Sequence, residues 1–381
     1  MQAYRSSWMT EELDIFRDAV RKFIRSEFVP HQERWNREQM VDRDAWTKTG
    51  DMGMLLCDIP EQYGGAGGSF AHEAVVYEEL AYADNTSFGT IVHSIVANYI
   101  NSQGTEEQKQ RWLPEMASGK LIGAIAMSEP GTGSDLQNVK TRAMAEGDQY
   151  VINGSKIFIS NGYHANLICV VAKTEPSEQA KGVSLVMVET DGLAGFRRGR
   201  LLRKIGQRGQ DTAELFFDDV RVPMENVLGA TEGQGFYQLM NELPRERLMI
   251  SVSAIAAIER AIEVTREYVR ARKVFGQAVA EFQNTRFKLA ECKTEATIGR
   301  VFVDHCIERL IAGDLDTVTA SMAKYWTTDK QFAIASECLQ LHGGYGYMLE
   351  YPIANIFADA RVQMIYGGTN EIMKELISRS L

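Results

Sequence analysis

The chain of 381 residues is short of the features that mark several large function classes. Its five cysteines, Cys57, Cys169, Cys292, Cys306 and Cys338, are scattered and odd in number, with no CxxC pair. They argue against a disulfide framework and read as reduced, mostly buried thiols of a cytoplasmic type of compartment. No stretch approaches the roughly 20 apolar residues that a membrane span requires. The opening residues, Met1 to Leu13, carry neither an Arg-rich amphipathic presequence nor an apolar signal core, so the chain reads as complete, without a targeting segment or membrane span. Its six histidines include no helical pair suited to zinc, and no Ser-His-Asp or Cys-His set can be built without arbitrary choice of partners. The dinucleotide GxGxxG fingerprint and the Walker P-loop are both absent. Lys and Arg number 41 against 51 Asp and Glu, and a net charge of −10 argues against nucleic acid as a main partner. A few local bases could still hold an anionic small molecule.

What remains is an ordinary packed composition, 45% apolar and 24% charged, at a length for two or three domains. From Thr10 to about Gly119 the apolar period is helical. Thr10 reads as an N-cap before Glu11 and Glu12, and further helices fit Asp42 to Met54, Phe70 to Tyr82, Phe88 to Ser102 and Thr105 to Met116. Thr105 with Gln108 has capping-box spacing. Gly64 to Gly68 reads as a flexible linker rather than a phosphate cradle, since no strand precedes it. Near Leu121 the period becomes strand-like, with runs at Leu121–Met127, Tyr150–Ser160, Leu167–Ala172, Val183–Glu189 and Ala213–Val222. Asn153-Gly154 carries a hairpin signal, and a small antiparallel β domain is expected. Long helices return at Gly233–Arg270, Glu281–Ala312 and Leu315–Leu341, with shorter ones at Pro352–Arg361 and Thr369–Ser380. The order α, β, α makes an α+β chain of three domains: residues 1–120 helical, 121–232 β, and 233–381 a helical bundle.

One carboxyl stands out. On a helix, Glu246 has Glu242, Leu243, Met249 and Ile250 as its neighbours three and four residues away, none of them a base. It shares a stripe with Leu239, Leu243, Met249, Ile250 and Ser253 that faces a core. An unpaired carboxyl there is costly unless it has a task, and the alternative is a glutamate that reaches solvent past a kink at Pro244. These residues alone leave both readings open. Met127 to Asp135 follows a strand and gathers glycines, hydroxyls and backbone N–H groups, which suits a flat heteroaromatic ring or a phosphate. In Ile365 to Glu371, glycines permit close backbone approach, and Thr369 could cap the last helix.

Taken together, five stretches resemble the acyl-CoA dehydrogenase family over nearly the whole chain. They are Ala126-Met-Ser-Glu-Pro-Gly-Thr-Gly-Ser-Asp135, Asn153-Gly-Ser-Lys-Ile-Phe-Ile-Ser-Asn-Gly162, Arg272-Lys-Val-Phe-Gly276, Gln340-Leu-His-Gly-Gly-Tyr-Gly346 and Asp359-Ala-Arg361. The carboxyl-terminal part is most similar to the long-chain branch. The resemblance implies FAD bound without a Rossmann domain, with Met127, Ser128, Phe158 and Ser160 along the isoalloxazine ring. It further implies that Arg272, Phe275 and Gln283 reach the adenine-dinucleotide portion from a neighbouring subunit. The turn from Gln340 through Gly343 to Gly344 would come with them, while Thr369 and Glu371 approach the cofactor near the start of the last helix. Ser134 and Arg247 match contacts to the CoA part of the substrate. A homotetramer, acyl-CoA as substrate and an electron-transfer flavoprotein as acceptor follow by the same likeness.

The chain departs from many members of that family at one telling position. Where they carry the catalytic Glu in a Tyr-Glu-Gly-Thr segment, this sequence has Gly367. The long-chain and isovaleryl branches carry the base in a Glu-Arg-Leu segment on the long helix, and Glu246-Arg247-Leu248 matches it. The resemblance thus implies that Glu246 removes the α-proton of a medium- to long-chain or branched acyl-CoA. The β-hydride would pass to flavin N5, yielding the trans-2-enoyl-CoA of fatty acid β-oxidation. The Gly367 amide and a ribityl hydroxyl would hold the thioester oxygen. An oxidase using dioxygen and a non-catalytic acyl-CoA or flavin carrier are the competing functions.

Overall fold

The computed structural model describes residues 4–381, so residues 1–3 of the opening stretch lie outside the described residues. Thr10 accepts the Leu13 amide at 3.2 Å and starts α1 (Glu11–Phe23). Helices α2 (Gln32–Glu38) and α3 (Arg43–Asp51) follow. Ser69 opens α4 (Phe70–Tyr82), and α5 (Thr90–Gln103) runs next to it in sequence. Thr105 opens α6 (Glu106–Ala117) with the capping box that its spacing predicts, the two bonds to Gln108 measuring 3.3 and 3.0 Å. The glycine run before α4 is a packed turn rather than a flexible linker. A Cβ on Gly65 would lie 2.2 Å from the Ile59 carbonyl oxygen, and the Gly68 amide bonds the Cys57 carbonyl at 2.8 Å.

The middle layer is one sheet of β1 (Gly123–Ala126), β2 (Arg142–Glu146), β3 (Gln149–Ser160), β4 (Leu167–Lys173), β5 (Val183–Glu189), β6 (Phe196–Leu201) and β7 (Thr212–Pro223). Its order is β1-β4-β2-β3-β7-β6, with β5 also paired to β4. The pairings are antiparallel apart from β1 along β4 and the end contact of Arg142 with Lys173. The parallel pairs arise because the β2–β3 hairpin intervenes in sequence between β1 and β4.

The hairpin expected at Asn153-Gly154 does not form. Strand β3 runs through both residues, and its register against β7 shifts between Ile152 and Gly154. A Cβ on Gly154 would lie 2.4 Å from Thr141 Oγ1, so glycine is needed for close approach at a bulge. Asn153 meanwhile exchanges two 2.9 Å hydrogen bonds with Asp219. The reversal into β3 is made by Gly147-Asp148, with Glu146 opposite Gln149.

The last layer begins with α7 (Gly235–Ala271), a helix of 37 residues. A small hairpin of β8 (Lys273–Val274) and β9 (Gln277–Ala278) leads to α8 (Gln283–Ile311), α9 (Thr317–His342), α10 (Pro352–Gln363) and α11 (Asn370–Ser378). Helix α7 continues unbroken through Pro244, close to the single long helix expected over Gly233–Arg270. The flanking turns pack on α4 and α5, which compensates for the hydrogen bond that proline removes. No helix among the described residues is long and apolar enough to cross a membrane.

One buried arginine ties the first and last layers together. Arg300 on α8 pairs with Glu78 of α4, with Glu259 of α7 at 2.7 Å, and with Asp304 one turn along at 3.6 Å. Tyr82 adds a 3.0 Å bond to Glu259, and Trp8 a 2.9 Å bond to Asp304. Removing the cation strands carboxylates in low dielectric, a loss of about 3–5 kcal/mol where one partner of a buried pair is deleted. Arg300→Met is therefore expected to lower the thermal unfolding midpoint sharply at fixed protein concentration. A midpoint equal to wild type would show that this network does not hold the layers together.

Candidate active site

Helix α7 presents Glu246 inward because Leu239, Met249 and Ile250 on neighbouring turns are buried with it. Glu246 is 6% exposed, and its Oε1 accepts a 2.7 Å hydrogen bond from the hydroxyl of Tyr99, which is fully buried on α5. Burial raises the carboxyl to about 7; the like charge of Glu242 adds to this, while Tyr99 and Arg247 oppose it. One turn back on α7, Glu242 accepts a 2.6 Å bond from Ser102, also on α5. Tyr99 and Ser102 thus form two hydroxyl-to-carboxylate rungs between α5 and α7.

Gly367 lies against the same part of α7. Its φ is +64°, a conformation that favours glycine, and a Cβ there would sit 2.4 Å from Cδ1 of Ile250. Ile250 follows Glu246 by one helical turn, so the structure brings positions 246 and 367 together across a single side chain. The Gly367 amide has no partner among the described residues. The turn is pinned by Lys324 of α9, whose buried Nζ donates to the Gly368 carbonyl at 2.7 Å and to Asn370 Oδ1 at 3.0 Å. Burial, with the nearby charge of Arg247, pulls the Lys324 ammonium down to about 7. Thr369 caps α11 by accepting the Ile372 amide at 3.4 Å, and Glu371 stands exposed in the first turn.

Arg247 turns away from Glu246. It is 2% exposed and donates to Ser321 of α9 at 3.2 Å, while its Nε has no partner among the described residues. Ser134 stands exposed in the loop after β1, so these two predicted substrate contacts occupy different settings.

That loop forms a second wall. Lys156 donates to the Met127 carbonyl at 3.0 Å and to Glu129 at 2.9 Å, both ends of the ion pair being buried. Ile157 N–H bonds the Ser128 carbonyl at 3.0 Å, which sets Met127 and Ser128 beside Phe158. Phe158 is 67% exposed at φ +63°, where β3 shifts register between Lys156 and Ile159. An aromatic held outward in a left-handed conformation costs about 1–3 kcal/mol, strain of the kind that collects at ligand sites. Ser160, half-buried, ends the strand opposite Thr212.

Arg272, Gln340, Gly343 and Gly344 line a separate cavity of about 560 Å³ at the end of the bundle, beside Tyr268 and Tyr345. The Arg272 guanidinium lies 5.7 Å from the Tyr345 ring centre. Phe275 and Gln283 do not line it. Phe275 is 96% exposed at the tip of the β8–β9 hairpin, and Gln283 is exposed at the start of α8.

Tyr99, Lys324 and the Lys156–Glu129 pair were missed from sequence. Each polar group sits in an apolar or small-residue run, Ile95 to Ile100 for Tyr99 and Ala320 to Ala323 for Lys324, where a polar group needs a distant partner. That signal shows that a partner is required without naming it.

Comparison with known proteins gives three family models in register along the chain. The acyl-CoA dehydrogenase N-terminal domain matches residues 10–120, the middle domain 124–220 and the C-terminal domain 233–381. The long-chain specific acyl-CoA dehydrogenase, mitochondrial, of Mus musculus is 52% identical over 375 residues, covering 98% of this chain and 87% of that one. A solved acyl-CoA dehydrogenase from Geobacillus kaustophilus superposes with a TM-score of 0.96 at 47% identity, covering 99% of each chain. A glutaryl-CoA dehydrogenase from Mycobacterium smegmatis, solved in complex with FADH2, superposes at 0.91 with 28% identity over 98% of this chain and 95% of that one. With its fold, its three matched domains and this identity over almost its full length, the chain belongs to the acyl-CoA dehydrogenase family of oxidoreductases.

Proposed function

We propose that the protein desaturates a medium- to long-chain or branched acyl-CoA between its α and β carbons, with Glu246 as base and FAD as cofactor. The observation that carries this is a buried carboxyl, raised to about 7, one helical turn from the residue packed on Gly367. A base of that strength suits a weakly acidic α-proton at neutral pH. Glu246 takes the proton, and the Gly367 amide, which has no partner among the described residues, holds the thioester oxygen as negative charge develops on it. The burial of Glu246 keeps water from competing for the proton.

The residues fit a flavin. Phe158, Met127, Ser128 and Ser160 make an exposed aromatic and polar wall suited to a flat ring, next to the pinned loop. FAD, when bound, supplies the acceptor for the β-hydride. Thr369 and Glu371 are assigned to the cofactor from the start of α11. Gln340, Gly343, Gly344 and Arg272 line a cavity open enough for a dinucleotide tail, and Gly343 and Gly344 have no atom within 4 Å of an added Cβ. That cavity, together with Phe275 and Gln283, is assigned to the cofactor of a neighbouring subunit, within a homotetramer. The bare exposure of the Phe275 ring supports a partner there. Ser134 and Arg247 are assigned to the CoA portion, Arg247 with one donor to spare. The long-chain specific name of the mouse relative supports fatty acid β-oxidation, with an electron-transfer flavoprotein as acceptor. The five buried free thiols fit a reducing compartment such as the cytoplasm.

Glu246→Gln is expected to retain FAD and acyl-CoA while anaerobic flavin bleaching slows at least about a hundredfold, the low end for loss of a general base. Near-normal bleaching would remove Glu246 from this role. Because the active form is the carboxylate and its pKa is raised, bleaching by the wild type should fall as pH drops through about 7 and level off above it. A flat profile from pH 5 to 9 contradicts that. Returning a carboxylate at position 367 meets a steric obstacle, the 2.4 Å approach to Ile250 together with the positive φ. In the Glu246→Gln background, Gly367→Glu should therefore recover about tenfold in rate only when Ile250→Ala is added. A folded triple variant without recovery means that the two positions do not address one α-carbon.

A further inference from the structure

Resting on the reading of Glu246 as the base, we infer that Tyr99 is a positioning residue: its buried hydroxyl holds Glu246 Oε1 so that Oε2 alone is presented to the substrate. The two groups come from different helices, α5 and α7, and meet at 2.7 Å with Tyr99 fully buried. A glutamate side chain has three rotatable bonds, whereas a tyrosine has two, and this one is locked by packing. The rigid partner therefore fixes the flexible one. Oε2 has no hydrogen-bond partner among the described residues, which leaves it as the proton acceptor. The Ser102–Glu242 rung, one α5 turn along at 2.6 Å, sets the register of the two helices and so the aim of Tyr99.

The groups facing Glu246 are few. From α7 come Glu242, which raises its pKa, and Arg247, which lowers it; from α5 comes Tyr99, which lowers it, and from β4 the buried thiol of Cys169. Arg247 is drawn off to Ser321 on α9. Among the described residues, Tyr99 is thus the one group that both bonds the carboxyl and stabilises its charged form. Its own proton stays in place, since burial and the charge of Glu246 hold the phenol well above its ordinary range. The substrate proton moves to Oε2, and no proton passes through Tyr99.

The test compares the pH dependence of anaerobic flavin bleaching by a saturating acyl-CoA in wild-type holoenzyme, Tyr99→Phe and Glu246→Gln, with acyl-CoA affinity measured in each. Tyr99→Phe should move the acid limb up by about one pH unit, a tenfold loss on the acid side, as a charge-stabilising hydrogen bond is lost. The limiting rate at high pH should fall on the order of tenfold, as for a misplaced reacting group, with acyl-CoA affinity unchanged. Should Tyr99→Phe fail to hold flavin, 3-fluorotyrosine at position 99 keeps the shape and is a stronger donor, and it should move the limb to lower pH. If Glu246→Gln is inactive while both Tyr99 variants keep the wild-type limb and limiting rate, Tyr99 does not position the base. If Glu246→Gln itself bleaches normally, the base assignment falls instead.

Discussion

The site depends on keeping one carboxyl out of water with a single hydroxyl for company. Three influences compete at Glu246: burial raises its pKa, Tyr99 and Arg247 lower it, and Glu242 raises it again. Burial wins, and the group settles at about 7. Had Arg247 faced it directly, the ion pair would have held it far below that, and it would be too weak a base for an α-proton. Adjacent helical residues point about 100° apart, which is why Arg247 meets α9 while Glu246 meets α5.

The surroundings support that arrangement from each layer. Helix α7 packs against α4, α5, α8, α9 and α10, and so its inward face is set by the whole molecule rather than by its own propensity. Lys324 anchors the Gly367–Gly368 turn from α9. Lys156 and Glu129 fix the loop beside Phe158 through a buried ion pair. Arg300 fastens the first helical layer, which carries Tyr99, to the last. A carboxyl supplied by one layer is thereby held to a donor supplied by another.

Much of this was legible in the chain. Phe70–Tyr82 and Val183–Glu189 match the observed elements residue for residue, because strong periodicity and flanking turn residues agreed. The Asn153-Gly154 hairpin failed because a glycine that serves close packing on Thr141 looks the same, in sequence, as one that serves a turn. The long helix through Pro244 was legible from its apolar stripe, because tertiary contacts carry α7 through a residue that would break an isolated helix. At the site, the lack of a local partner marked Glu246, and its segment matched the family motif. Tyr99 was not legible, because it lies 147 residues away and only the packing of α5 on α7 makes the pair.

The most direct measurement isolates the proton step from the redox step. In an acyl-CoA whose β-carbon is replaced by sulfur, no hydride can leave, yet the α-proton can still be taken and returned. Incubated in D2O with the holoenzyme, such a thioether should acquire deuterium at the α-carbon, faster as pH rises through about 7. With Glu246→Gln, exchange should drop to the uncatalysed rate while the complex still forms. Exchange at the wild-type rate in that variant would contradict the assignment of the buried carboxyl as the base.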